Sequence, residues 1–329
     1  MNSGQYLSRN SFNAGDIGMN EKEVCVVLSS YNGEKYIKEQ IESIIRQKDV
    51  EVYLYIRDDG SSDGTVQIIR ELMNNNHNIY LEEGENVGFN RSFWFGIRDS
   101  LKNFPQCGFF AFADQDDVWD NDKLFCATNF LNPSSERPEM SYSNLLVCDG
   151  SLRPIGLMFG ENIVHTTYRQ SLAQIFCYGC TCVFNRRCAE LYANQFYYFP
   201  HDCWIYYLGM FCGRAYYDST PHIKYRRHGK NYGSKGKKIS IEKNNLFIKF
   251  IDMMKNLGDA KPFISDMATA LLVDYSEDIN AESVEYLSTV SRYKNSIKDK
   301  CKLLFTSYIG TNEIAKNISL RIYLICNKW

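Results

Sequence analysis

Three times in the first hundred residues a short apolar, β-branched run gives way to a polar turn and then to helical spacing, which restricts the fold more than any other pattern here. Val24 to Tyr31 ends at Asn32-Gly33 and is followed by Ile37, Ile41, Ile44 and Ile45 at helical intervals. That reads as strand, turn, helix. Val50 to Ile56 predicts a second strand, Asp63 to Met73 a second helix, Ile79 to Leu81 a short third strand, and Phe93 to Leu101 part of a third helix. Strands alternating with helices of this length imply βαβ units. The expected fold is α/β with a mainly parallel central sheet, whose ligands gather at the carboxyl ends of the strands.

The next strand end is acidic. Phe109-Phe110-Ala111-Phe112-Ala113 runs straight into Asp114-Gln115-Asp116-Asp117-Val118-Trp119. Side chains alternate along a strand, so the spacing predicts Asp114 and Asp116 on one side, with Gln115 and Asp117 facing away. Two like-facing carboxylates repel unless a cation lies between them, and a divalent metal with oxygen ligands is the usual occupant. The plainer reading is a solvated acidic loop, or a helix start in which Asp120 and Asp122 cap the turn into Lys123.

The second strand closes with Arg57-Asp58-Asp59-Gly60-Ser61-Ser62-Asp63-Gly64-Thr65. Ser62 or Asp63 can cap the following helix, and Gly60 and Gly64 permit a tight turn. Capping leaves Asp58 and Asp59 unexplained, and a carboxylate at a strand end can accept the N3–H of uracil or thymine, a donor cytosine lacks. Asn86-Val87-Gly88-Phe89-Asn90-Arg91-Ser92 sets polar groups and a cation at a helix start, which suits a phosphate, a ribose or an ordinary cap. The first turn, Ser29-Ser30-Tyr31-Asn32-Gly33-Glu34, lacks the Gly-x-Gly-x-x-Gly of dinucleotide oxidoreductases.

At 329 residues the chain predicts one large domain with an appendage, or two domains. A formal net charge of −2 gives no global pull towards nucleic acid. The twelve cysteines are expected to be reduced and cytosolic, because 44% hydrophobic content can build a core unaided and no secretory signal is evident. Cys177, Cys180, Cys182 and Cys188 lack the second tight pair of a closed zinc site, and Gly179 to Phe184 alternates like a buried strand. No window of about twenty apolar residues is free of charge, so no membrane span is expected.

Ser30-Tyr31-Asn32-Gly33, the Asp58 to Thr65 turn, Asn86-x-Gly88 and Asp114 to Trp119, in that order, resemble family 2 glycosyltransferases of the nucleotide-diphospho-sugar (GT-A) fold. More narrowly, the chain resembles bacterial rhamnosyltransferase-like enzymes that build surface polysaccharides. The likeness covers about Glu23 to Ser234. It implies that Ser30, Tyr31, Asn32, Asn86, Gly88, Arg91 and Gln115 help hold the donor, with Asp58 and Asp59 on the base and Asp114 facing the ribose and sugar. Asp116 would bind Mg²⁺ or Mn²⁺ on the diphosphate, and His228 in Tyr225-Arg226-Arg227-His228 matches a position that can complete the metal's coordination. Gly179 and Cys180 stand where the family has a turn near the acceptor. Phe199-Pro200-His201-Asp202-Cys203-Trp204 resembles the family's His-Asp-Trp-Trp element, with Cys203 in place of the first tryptophan and Trp204 on the acceptor side. Asp202 becomes the general base for the acceptor hydroxyl; read from the residues alone, it is the N-cap of the helix beginning near Trp204.

Lys123 to Leu131 predicts a helix and Met140 to Cys148 a single strand. Lys224 to Lys238 holds Lys224, Arg226, Arg227, Lys230, Lys235, Lys237 and Lys238 with no acid, among Gly229, Gly233 and Gly236. Such a loop can close over a diphosphate. From Ser291 to Trp329 eight cations face two acids, and Ile314, Ile318, Ile322 and Ile325 share a helical face near Lys316 and Trp329. That stripe fits either an anionic membrane surface or packing on the catalytic domain or a second subunit.

The expected organisation is a tail over residues 1–20, a GT-A domain over 21–238 and a helical region over 239–329. The expected function is inverting, metal-dependent transfer of a sugar, rhamnose among the candidates, from a UDP- or dTDP-sugar to a saccharide acceptor, free or lipid-linked, on a surface glycan. The enzyme would be cytoplasmic or peripheral at the inner face of the plasma membrane. The alternative is a nucleotide-binding scaffold of the same fold without transfer activity.

Overall fold

The structure is a computed structural model that describes residues 22–160, 167–228, 263–305, 309–311 and 314–329. The expected tail, most of the basic glycine-rich loop with Lys230, Lys235, Lys237 and Lys238, and the boundary at 238 lie outside the described residues.

The chain opens with β1 (Glu23–Ser30), α1 (Ile37–Ile45), β2 (Glu51–Asp58), α2 (Thr65–Met73), β3 (Ile79–Glu83), α3 (Phe89–Asn103) and β4 (Phe109–Ala113). Alternate residues of β1 feed two cores. Cys25 and Val27 pack with Phe93 and Ile97 of α3. Val24, Val26 and Leu28 pack with Ile37, Ile41 and Ile44 of α1 and Ile69 of α2. A strand covered on both faces must be apolar throughout, which is why β1 reads as one continuous run. Gly96 of α3 lies so close to Val27 that a Cβ there would overlap its side chain.

After β5 (Val118–Trp119) and α4 (Lys123–Thr128) the chain forms β6 (Glu139–Ser143), β7 (Leu146–Cys148), β8 (Pro154–Leu157), α5 (Tyr168–Ser171), β9 (Val183–Asn185), α6 (Arg186–Asn194), α7 (His201–Cys212), β10 (Arg214–Asp218) and β11 (Ile223–Arg226). The main sheet has the order β10-β6-β9-β4-β1-β2-β3, and a smaller sheet the order β5-β11-β7-β8. All main-sheet pairings are parallel except those of β9, which runs antiparallel to β4 and β6.

Two strand expectations are corrected. Met140 to Cys148 is two strands in two sheets, because Asn144 turns the chain: its Oδ1 accepts from Leu145 and Phe159 N–H, and its Nδ2 donates to the Phe159 carbonyl. Gly179 to Phe184 begins as a 3₁₀ turn over Gly179–Thr181, with Cys182 N–H bonded to the Gly179 carbonyl, and only then becomes β9.

The C-terminal region is helical: α8 (Phe263–Asp274), α9 (Ala281–Arg292), α10 (Ile297–Phe305) and α11 (Ile314–Ile325). It shares one core with α3, α6 and α7. Tyr275 donates to the Leu191 carbonyl at 3.0 Å, and Tyr286 to that of Arg169 at 2.7 Å. In α11 the buried residues are Leu320 and Leu324, whereas Ile318 and Ile325 are exposed. Ile322 is half-buried, so of the stripe's described side chains none belongs to the buried face. Trp329 is buried instead, its carbonyl accepting from Tyr293 Oη. All twelve cysteines are free. Among the described residues no helix is long and apolar enough to cross a membrane.

Candidate active site

The carboxyl ends of β1, β2 and β4 lie side by side because β1 pairs in register with both neighbours. Their loops are laced together by side chains. Gln115 accepts from Tyr31 N–H and donates back to its carbonyl, joining the first loop to the acidic tip. Asn32 has a positive φ of 48°, tolerable for asparagine, and its Oδ1 accepts from Ser62 N–H at 2.8 Å. Ser30 donates to Asp58 Oδ2 at 2.8 Å.

Asp58 and Asp59 are both buried. Asp58 accepts from Ser61 N–H, Ser61 Oγ and Ser30 Oγ. Asp59 accepts from buried Arg57 at 2.5 Å and from Val87 and Gly88 N–H, so it holds the loop of exposed Asn86 against the end of β2. Gly88, with φ of 83°, needs the freedom of glycine to enter α3. Neither Ser62 nor Asp63 is the N-cap of α2: Gly64 occupies that position, and Asp63, one residue before it, accepts from Thr65 N–H at 3.0 Å. Arg91 lays its guanidinium over Phe196, 4.8 Å from the ring centre.

The acidic tip is arranged otherwise. The strand stops at Ala113, so alternation stops there too, and Asp117 does not face away. It turns back so that ligand atoms of Asp114, Asp117 and Cys180 lie within 4.8 Å of one another. Asp117 Oδ1 accepts from Arg226 N–H at 2.9 Å, and its Oδ2 is buried with no hydrogen-bond partner among the described residues. Burial, reinforced by Asp116 and Asp202, pushes the Asp114 carboxyl up to about 7. Burial also raises Asp116, against the pull of His228. Asp117 is raised well above the carboxylate range by burial and by its two acidic neighbours.

Asp116 Oδ2 and His228 Nε2 are 2.8 Å apart, so the two residues predicted to share a metal meet across 112 positions of sequence. Oxygen and imidazole donors beside carboxylates with raised pKa values fit a divalent cation such as Mg²⁺ or Mn²⁺. Arg226 is not a mobile loop cation. It is buried in β11 and donates to the Asp116 carbonyl at 2.8 Å and to that of Gly150 at 3.0 Å, with Glu39 on its other nitrogen. Sequence reasoning missed Arg226 and Asp117 as site residues, and also Lys123. The Lys123 ammonium is buried 3.5 Å over the Trp119 ring, its pKa lowered by burial to about 7. The only local signal was the apolar flank of each.

Asp202 is not the N-cap of α7. Pro200 occupies that position, and Asn90 Oδ1 accepts the orphan His201 N–H at 3.1 Å. Asp202 sits in the first turn, close enough to Asp114 for their charges to interact. His201 stacks on Phe93 at 4.2 Å, and a Cβ on Gly179 would overlap its Nε2, so Gly179 is what lets α7 start so near the tip. Cys180 is buried, and burial pushes its thiol up. Trp204 is buried against Tyr197, Phe199 and Tyr275, in the core shared with the C-terminal helices.

Residues 25–187 match the family model Glycosyl transferase family 2. The dTDP-rhamnosyl transferase RfbG of Shigella flexneri is 26% identical over 263 residues, covering 73% of this chain and 87% of that protein. The putative teichuronic acid biosynthesis glycosyltransferase TuaG of Bacillus subtilis (strain 168) is 29% identical over 131 residues, covering 39% and 49%. Among solved structures, S. aureus TarS 1–349 in complex with UDP-GlcNAc superposes with a TM-score of 0.53 at 17% identity, covering 86% of this chain and 76% of that one. At that identity the likeness speaks for the fold: a GT-A sheet with further C-terminal helices.

Proposed function

Because the chain is a family 2 glycosyltransferase, with the family's domain over residues 25–187, we propose that it carries out inverting, metal-dependent hexosyl transfer from a UDP- or dTDP-sugar to a hydroxyl of a growing surface glycan. The observation that carries this reading is the meeting of Asp116 and His228 at 2.8 Å beside Asp114. The Shigella relative is named for dTDP-rhamnosyl transfer and the TarS structure for UDP-GlcNAc, and both nucleotides end in a pyrimidine with an N3–H donor. dTDP-rhamnose is therefore the first donor to try.

In this reading the nucleoside lies against Ser30, Tyr31, Asn32, the Asp58-Asp59 turn and the Asn86 to Gly88 loop, with Arg91 and Gln115 at the borders of the donor site. Asp114 meets the ribose and sugar. Asp116 and His228 would hold the divalent cation, which when bound would offset the negative charge that the departing diphosphate gains. Asp202 accepts the proton of the acceptor hydroxyl as its oxygen bonds to the anomeric carbon, and the electron pair of the broken glycosidic bond leaves on the diphosphate. Gly179 and Cys180 border the acceptor side, with Trp204 supporting it from the core.

The first test is thermal stabilisation by UDP, dTDP, GDP and CDP, each with Mn²⁺ and with EDTA. A metal-dependent rise with UDP or dTDP alone supports the reading, and no rise with any nucleotide sinks it. Asp202→Asn should then bind nucleotide as the native protein does while turnover falls about 10²-fold or more. Retained turnover removes Asp202 from the mechanism.

A further inference from the structure

A second set of metal-ligating groups stands where α4 meets the start of β11, and it differs in chemistry from the first. Asp122 is the N-cap of α4 and Cys126 lies four residues on, its N–H bonded to the Asp122 carbonyl at 2.9 Å, so both present to one side of the helix. His222 precedes β11. An Asp122 carboxylate oxygen, the Cys126 sulfur and a His222 ring nitrogen lie within 4.8 Å of one another. His222 Nδ1 is 3.1 Å from Asp122 Oδ1, and its Nε2 is 3.2 Å from Asp218 Oδ2. The backbone holds the two segments together independently of these side chains: Asp120 N–H donates to the His222 carbonyl at 3.0 Å, and β11 pairs with β5.

We propose that Asp122, Cys126 and His222 form a Zn²⁺ site, with Asp218 as the residue that orients His222. One oxygen, one sulfur and one imidazole donor suit zinc, whereas the oxygen-rich catalytic tip suits a harder cation. A carboxylate accepting the Nε2–H of a ligating histidine fixes its tautomer and turns the Nδ1 lone pair towards the ion. Three protein ligands leave the fourth tetrahedral position to solvent. As the sulfur–zinc bond forms, the Cys126 thiol releases its proton to water. The site would tie the helix that follows Asp116 to the strand that leads to His228, bracing that pair from behind. The competing account is an imidazolium held between Asp122 and Asp218, in which Cys126 has no part.

The test uses the full chain, stripped with EDTA and desalted. It is titrated with Zn²⁺ against a chromophoric chelator, and separately with Co²⁺ to read thiolate ligation in the near-ultraviolet. We expect one tightly bound equivalent of zinc and a cobalt–thiolate band. Cys126→Ser and His222→Gln should weaken binding by at least about 10²-fold and remove the band. Asp218→Asn should weaken it roughly 10- to 100-fold. Asp116→Asn, which disables the other site, should leave it unchanged. The proposal is overturned if the native chain binds no zinc, if uptake survives Cys126→Ser and His222→Gln, or if Asp116→Asn abolishes it. Should those variants fail to fold, the cobalt spectrum of the native protein decides, and absence of the thiolate band rejects the site.

Discussion

The loops after β2 and β4 each carry adjacent aspartates at the end of a buried strand, yet the two sets are held in opposite ways. Asp58 and Asp59 are surrounded by donors from their own architecture: two serine hydroxyls, a buried arginine and three backbone N–H groups. Asp114, Asp116 and Asp117 face one another and are pushed towards their protonated forms. Desolvated carboxylates are tolerated only when donors or cations answer them. The first set is answered from within the fold. The second is answered in part by His228 and the Arg226 backbone, which leaves room for an ion from solution.

The largest effect should follow from breaking the satisfied set. Asp59→Ala strands the buried Arg57 guanidinium and two N–H groups, and should cost about 3–5 kcal/mol in chemical denaturation. A loss under about 1 kcal/mol would mean that water reaches these groups and that the contrast is false. In the other set, Asp116→Asn should abolish about 10²-fold or more of transfer activity without lowering the melting temperature, since it relieves like-charge repulsion. A large loss of stability would assign Asp116 to the scaffold.

A matched pair of conservative changes sharpens the comparison. Asp58→Asn turns an amide nitrogen towards donors and should cost about 1–3 kcal/mol. Asp117→Asn mimics the protonated form that burial already favours, and should be neutral or stabilising by up to about 1 kcal/mol. Equal losses from both would erase the distinction.

The smallest effect is on pH dependence. Burial and the acids beside it push Asp114 up to about 7 in the native protein, so the native state keeps a proton that the unfolded chain, at the ordinary carboxylate value, has released. More protons bound in the native state means that metal-free stability falls as pH rises through that window. Melting temperatures in EDTA should decline from about pH 4 to 7, and stabilisation by Mn²⁺ should grow over the same range as the ion competes with the proton. A flat profile would show that burial and the neighbouring acids do not hold Asp114 above its ordinary value.

The strands, helices and motif order were legible because they are local. Two- and 3.6-residue periods and polar turns specify backbone within a few positions, and β1 to β4 follow them. Fully buried strands read as apolar runs, so the parallel centre of the sheet was legible too. Long-range placement was not. Whether Asp117 faces out or in depends on where β4 stops, and Met140 to Cys148 divides because Asn144 bonds to Phe159, fifteen residues away. No period distinguishes Arg226 as a buried strut from Arg226 as a loop cation. The pairing of β11 with β5, Lys224 opposite Val118, decides that and carries His228 to Asp116. In α11 the isoleucine stripe and the two leucines were both apolar, and only the shape of the neighbouring core chose Leu320 and Leu324 as the buried face. The sequence determined which residues have the chemistry for a nucleotide-sugar site; tertiary structure decided which of them meet, because contacts between distant segments follow from strand register and packing, which no local pattern encodes.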